Sequence, residues 1–265
     1  MSGYKVNSFS FPSNRSEAEK SKLKIEIVAG KSMEVDDCND YVLTGNFEKK
    51  SMINGNNYYI FNTDGTVVST TKDCLNKTTQ TKFVIGNGLL LNYNNQIPAI
   101  VYTPNGIESR YRIWETSTSY PISHEIDTSS ETEATKALEF FPDSIEGYER
   151  YVLALPPLQR SMNDVQFEII PGITTQVDCN NYRLIGSFKE DTVEKMGYRY
   201  FIFESTGDYA SIQMACPNNA LKLEFVTGET LMLEYVSSYP IVIFAPKGKG
   251  FSVRYRVWES PKFAN

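Results

Sequence analysis

The sequence predicts an all-β chain made of two tandem copies of one antiparallel barrel or sandwich domain. Three observations carry that prediction. Landmark residues recur at a fixed offset, and short apolar-polar alternating runs fill both halves. Aromatic residues make up 13% of the 265-residue chain, with 17 Tyr and 15 Phe, and such side chains suit pleated, half-buried strands better than helices.

The repeat comes first because it sets the architecture. A shift of about 142 residues lays one half on the other. Val35 falls on Val177, Cys38 on Cys179, Gly45 on Gly186 and Cys74 on Cys216. Tyr-Tyr-Ile-Phe at 58–61 meets Tyr-Phe-Ile-Phe at 200–203, and Asn-Tyr-Asn-Asn-Gln-Ile-Pro at 92–98 meets Glu-Tyr-Val-Ser-Ser-Tyr-Pro at 234–240. Arg-Tyr-Arg-Ile-Trp at 110–114 meets Arg-Tyr-Arg-Val-Trp at 254–258. Chance would not keep so many landmarks in order. The expected organisation is a first copy over 1–118, a linker over 119–136 and a second copy over 137–265.

Each copy reads as strands. KLKIEIV and DVQFEII alternate and are followed by glycine turns. YVLTGNF and YRLIGSF carry a glycine where a bulge or a close backbone approach is expected. NYYIF, FVIG, LLLNY, AIVYT and RYRIW continue the first copy between Asn/Gly turns, and their counterparts continue the second. The linker is rich in Ser, Thr and Glu, which predicts a flexible connection with one weak helical turn near 131–138. Met, Ile and aromatic residues inside the strands are assigned to the core.

Composition removes several functions. The net charge of −6 argues against a general nucleic-acid or anionic-membrane surface. No apolar run approaches the roughly 18 residues of a membrane-spanning helix. The N-terminal residues show no signal-peptide pattern. Four cysteines allow three pairings, and oxidised pairs would imply an oxidising working site. The compartment stays open.

Catalytic patterns are missing as well. His124 is the single histidine and lies in the linker, so neither copy has a base for Ser–His–Asp or Cys–His chemistry. Cysteines 36 or 37 residues apart have no zinc spacing, and phosphate-cradling glycine motifs do not occur. The pairs Asp36-Asp37 and Glu190-Asp191 read as solvated turn residues. Asn14-Arg-Ser16 and Asn76-Lys-Thr78 match the glycosylation acceptor pattern only formally. These features describe a binding protein without metal or cofactor. One stretch is unusual: residues 209–217, YASIQMACP, carry no charge where a strand connection would normally hold polar turn formers.

The second copy resembles the ecotin family of dimeric β-barrel inhibitors of trypsin-fold serine proteases. The resemblance runs through LEFFPDSIEGYERYVLALPP, VDCNNYRLIG, GYRYFIF, MACP, KLEFV, YPIVIFAP and VRYRVWES, nearly the whole copy in order. The first copy shows the same skeleton, without the LEFFPDSIEGYE preface and with DCLN in place of MACP.

The resemblance implies a reactive loop formed by Ser211, Ile212, Gln213, Met214 and Ala215. Gln213 would be the P1 residue, whose side chain enters the protease S1 pocket, and Met214 would be P1′. A Cys179–Cys216 disulfide and Arg183 would brace the loop. Closing such a loop contributes roughly 3–4 kcal/mol in the chain-entropy model. In the first copy the equivalent loop is Ser69, Thr70, Thr71, Lys72 and Asp73, with a Cys38–Cys74 bridge. Val42 stands where the bracing arginine should be, so this loop is expected to have lost one support and the copy to be degenerate.

Secondary protease contacts are implied for Met196, Gly197, Tyr198, Arg199, Glu234, Val236, Ser237 and Ser238, with residues 54–57 and 92–97 as first-copy equivalents. The implied partner is a trypsin-fold serine protease, with no nucleic acid and no membrane. Two joined copies are expected to form a monomeric pseudo-dimer rather than a homodimer. Two other readings remain: a β-sandwich binding or adhesion module, and a structural tandem that has lost inhibition.

Overall fold

The strand Leu23–Asp36 organises the first copy, and Val165–Val177 repeats it in the second. Both are seen in a computed structural model that describes residues 2–12, 15–73, 78–116, 119–125, 132–158, 164–212, 214–216 and 220–260. The first halves of these strands are almost wholly buried, with apolar residues on one face and Lys24 and Glu26, or Gln166 and Glu168, on the other. Each pairs along one edge with the Arg-Tyr-Arg strand of its own copy, Glu108–Thr116 or Phe251–Glu259. The opposite edge is shared by two shorter strands, Leu89–Asn92 and Thr79–Ile85 in the first copy. Leu231–Glu234 and Lys222–Thr227 do the same in the second.

A further sheet of each copy has the order Tyr4–Phe9, Ala99–Pro104, Asn57–Asn62, Asn46–Ser51, matched by Tyr148–Leu153, Ile241–Pro246, Arg199–Glu204, Ser187–Thr192. The architecture is all-β and predominantly antiparallel, as the sequence predicts. One pairing per copy is parallel, between Asn57–Asn62 and Ala99–Pro104 and between Arg199–Glu204 and Ile241–Pro246. The chain reaches those partners after crossing other strands, a connection that a tight hairpin cannot make.

The glycine of each YxLxG motif is explained by close approach. A Cβ at Gly186 would stand 2.5 Å from Phe203 Cζ and 2.7 Å from the Glu204 carbonyl oxygen. At Gly45 it would meet Asn62 O at 2.6 Å and Phe61 Cζ at 2.7 Å. Phe61 and Phe203 anchor the core beneath the candidate loops, packed with Leu43 and Val35 in one copy and Leu184 and Val177 in the other.

A buried ionic group accounts for the RYRxW and xEI motifs together. Glu26 Oε2 accepts from Arg112 Nε at 2.6 Å and from Trp114 Nε1 at 2.8 Å. Glu168 Oε2 accepts from Arg256 Nε at 2.6 Å and Trp258 Nε1 at 2.8 Å. Both tryptophans are fully buried, so each indole N–H needs an internal acceptor.

The chain divides into two compact units, residues 1–115 with 260–265, and residues 116–259. Part of the stretch expected to be a flexible linker is ordered onto the second unit. Tyr120–Pro121 pairs with Tyr255 and Arg254, and Ile122 is buried in that unit's core. Apolar Ile122 outweighs the polar composition around it. His124 sits beside Tyr151, with ring centroids 4.5 Å apart. The expected helical turn is present as Glu133–Ala137, capped by Thr132, and its buried Ala134 and Ala137 tie it down. A second short helix, Glu17–Lys20, begins at a Ser16/Glu19 capping box whose S-x-x-E signature stands in the sequence. Among the described residues no helix is long and apolar enough to cross a membrane.

Candidate functional site

In the second copy, Tyr209–Ser211 pairs with Tyr182–Leu184, setting Ser211 opposite Tyr182 and Ala210 opposite Arg183. Leu184 is buried beneath this ribbon, and the Tyr182 and Tyr209 rings meet edge to face at 5.4 Å. Beyond it the chain leaves the surface: Ile212 is 70% exposed and Met214 58% exposed. Gln213, the expected P1 residue, lies outside the described residues. Cys179 and Cys216 form a disulfide with Cα atoms 5.7 Å apart, so the far end of the loop is anchored to the turn after Val177.

The side chain that holds the loop most directly is Asn180, a residue absent from the sequence-based expectations. It is 5% exposed. Its Oδ1 accepts from Met214 N at 2.7 Å, and its Nδ2 donates to Met214 O at 3.3 Å. Both backbone polar groups of one loop residue are therefore satisfied by a single internal amide. Asp178 fixes that amide in turn, accepting from Asn180 N at 2.8 Å, Asn180 Nδ2 at 3.0 Å and the Tyr182 hydroxyl at 3.1 Å. These donors, the Asn180 backbone N–H first, hold the Asp178 carboxyl below the usual carboxylate range.

Arg183, the residue expected to brace the loop, is exposed on Tyr182–Leu184. It meets the loop through its backbone register with Ala210.

The first copy builds the same clamp from its own residues. Asn39 Oδ1 accepts from Lys72 N at 2.7 Å, and Asn39 Nδ2 donates to Lys72 O at 3.4 Å. Lys72 and Met214 are the equivalent loop residues. Asp36 holds Asn39 by accepting from its N at 2.7 Å and Nδ2 at 3.0 Å, from Cys38 N at 3.1 Å and from the Tyr41 hydroxyl at 2.5 Å. The Tyr41 phenol and the Asn39 amide together bring its pKa down to about 2. Asp36 is thus a structural acceptor rather than a solvated turn residue. Asp37 accepts from the Thr78 hydroxyl.

The first-copy loop carries further hydrogen bonds of its own. Thr70 Oγ1 donates to Asn39 Oδ1 at 2.9 Å and accepts from Asp40 N at 3.0 Å, while Thr70 N reaches Asp40 O at 3.1 Å. Lys72 Nζ pairs with Asp40 at 3.1 Å. Thr70, two residues before Lys72, thus brings side-chain hydrogen bonds that its counterpart Ile212 cannot make. Ser69 pairs with Tyr41 across the ribbon, and Thr70, Thr71, Lys72 and Asp73 are exposed. Cys38 is disulfide-bonded; Cys74 lies outside the described residues.

A sequence signal for the clamp did exist. Asp-Asp-Cys-Asn at 36–39 and Asp-Cys-Asn at 178–180 place an asparagine directly after each first cysteine. The single-residue difference between Asp and Cys hides the equivalence.

The expected secondary loops also come together within each copy. Residues 193–198 of the second copy form a turn closed by Val193 N to Tyr198 O at 2.8 Å. Tyr198 stacks on Tyr239 at 4.7 Å and on Phe141 at 5.7 Å, joining the turn that carries Met196 and Gly197 to the one that carries Val236, Ser237 and Ser238. Arg199 pairs with Glu190 at 3.7 Å, and Glu234 is exposed. In the first copy the matching loops instead border a cleft of about 490 Å³, rimmed by Asn56, Asn57, Asn92 and Asn94 over Tyr59 and Leu91. Among the described residues no His, Cys, Asp and Glu group could hold a metal ion.

Comparison with known proteins bears on this site. The family model described as Ecotin matches residues 2–116 and again residues 137–260. The chain belongs to the ecotin family. It is a tandem member, since each copy is matched separately. A protein named Ecotin from Pseudomonas putida (strain W619) is 41% identical over 122 residues, which is 45% of this chain and 75% of that protein. A solved structure, the tandem CBM22 domains of Paenibacillus barcinonensis Xyn10C, aligns over 98% of this chain and 84% of its own at 12% identity with a TM-score of 0.11; that value carries no argument about the ecotin fold.

Proposed function

We propose that this ecotin-family chain inhibits trypsin-fold serine proteases by filling their catalytic cleft with the loop 211–215, bound as a substrate would be. The observation that supports this most is the Asn180 clamp on Met214. It ties Met214 to the body of the second copy before any partner arrives, so part of the ordering cost falls on folding rather than on association. Gln213 is the P1 residue in this reading. The bond between Gln213 and Met214 is then flanked on its amine side by two anchors, Asn180 and the Cys179–Cys216 bridge. Were that bond cleaved, the new amine would stay in place and the bond could re-form.

The secondary loops around Tyr198 and Tyr239 would grip the protease away from its cleft. Covalent joining of two copies replaces a concentration-dependent association by an intramolecular one, at an effective concentration near the millimolar range. This favours a monomer acting as a pseudo-dimer. The test is titration of trypsin, chymotrypsin and elastase with the purified chain. Stoichiometric loss of activity in at least one is expected; full activity of all three at micromolar protein would reject the proposal.

A further inference from the structure

We infer that the first copy is a second, independent inhibitory site, directed at proteases whose S1 pocket is shallow and takes a small uncharged residue. This rests on the reading of the loops as substrate mimics. Its own basis is the clamp that both copies share. Asn39 engages both backbone polar groups of Lys72 as Asn180 engages those of Met214. Both copies keep the same carboxylate, asparagine and backbone arrangement under exposed loop residues, Asp36 holding Asn39 as Asp178 holds Asn180.

The same clamp fixes the register. Lys72 is tied at its N–H, its C=O and its ammonium, the last to Asp40 at 3.1 Å. Thr70 on the other side is tied through its hydroxyl to Asn39 and through its N–H to Asp40. Thr71 stands exposed between these two pinned residues, and no hydrogen bond of its side chain is found among the described residues. It is the side chain presented outward, and the position matches Gln213 of the second copy.

Thr71 decides the class of partner. It is too short to fill a deep apolar pocket, and a pocket floored by a carboxylate would leave that charge unpaired. A shallow pocket of elastase type fits its size and neutrality. Lys72, the residue a trypsin-like pocket would seek, stands one position past Thr71, with its N–H and C=O engaged by Asn39. One chain would thus engage two proteases of different specificity through loops of the same construction.

The experiment uses the full chain. Wild type is titrated against pancreatic elastase, chymotrypsin and trypsin, beside Thr71→Arg, Asn39→Ala and Gln213→Arg. Thr71→Arg is expected to weaken elastase inhibition at least about 100-fold and to add trypsin inhibition, because it changes only the P1 side chain at an exposed position. Asn39→Ala is expected to weaken elastase inhibition by about 10-fold or more. If elastase inhibition ignores Thr71→Arg and Asn39→Ala but responds to Gln213→Arg, all inhibition runs through the second copy and the inference falls. If wild type spares elastase and Thr71→Arg gains no trypsin inhibition, while Gln213→Arg does, the inference falls and the preceding reading stands. If no variant alters inhibition of any protease, both readings fall.

Discussion

Asn180 spans the backbone of Met214, its carboxamide oxygen taking the N–H at 2.7 Å and its amide nitrogen reaching the C=O at 3.3 Å. Replacing it with alanine removes both bonds and empties a buried site. Asn180→Ala should lower stability by about 1–3 kcal/mol and weaken protease inhibition more than the stability change alone explains. Urea denaturation and inhibition constants measured on the same protein separate the two effects. Unchanged inhibition would remove the clamp from the mechanism.

The identity of P1 makes a second prediction. Gln213→Met should tighten binding to chymotrypsin-like enzymes, and Gln213→Arg to trypsin-like enzymes, by about 1–3 kcal/mol through better filling of S1. Inhibition constants across the three proteases report this directly. No response from any of them would move the register to Met214.

Asp36 gives the first-copy loop a defined pH limit. Its carboxyl titrates at about 2 in the folded chain against an ordinary value of 3.8. A depressed folded pKa contributes stability that is fully present above the unfolded value and is lost as pH falls through the folded one. The Lys72 amide resonance should hold its position down to about pH 4 and shift between about 4 and 2 as Asp36 takes up its proton. Asp36→Asn should show the loosened loop already at neutral pH. A shift centred above pH 5 would rule out Asp36 as its source.

Glu168 predicts a large stability effect far from the loop. Glu168→Ala strands the Arg256 guanidinium and the buried Trp258 indole together, and should cost about 3–5 kcal/mol in chemical denaturation. Glu26→Ala should do the same to the first copy. A loss below about 1 kcal/mol in both would mean that water replaces the carboxylate.

Joined copies acting as a pseudo-dimer should remain monomeric. Light scattering at micromolar and lower concentrations is expected to give the mass of one chain, 30.1 kDa. A stable species of twice that mass would show that association between chains is retained.

The sequence by itself determined the all-β class, the tandem repeat and the family, because period-two alternation and ordered landmarks are local properties that survive without coordinates. Close approach at Gly45 and Gly186 was legible for the same reason. The Tyr198–Tyr239 stack, the Glu–Arg–Trp groups and the two asparagine clamps were decided only by tertiary structure. Each joins residues remote in the chain, Asn180 and Met214 by 34 positions and Glu168 and Trp258 by 90. A polar side chain becomes a structural one only when burial removes its alternative partner, water. Burial likewise decides the contacts of residues 120–122, where Tyr120–Pro121 pairs with Tyr255 and Arg254 and Ile122 enters a core. Arg183 shows the converse: its position was read from sequence, but what it contacts depends on a surface that folding leaves open to solvent.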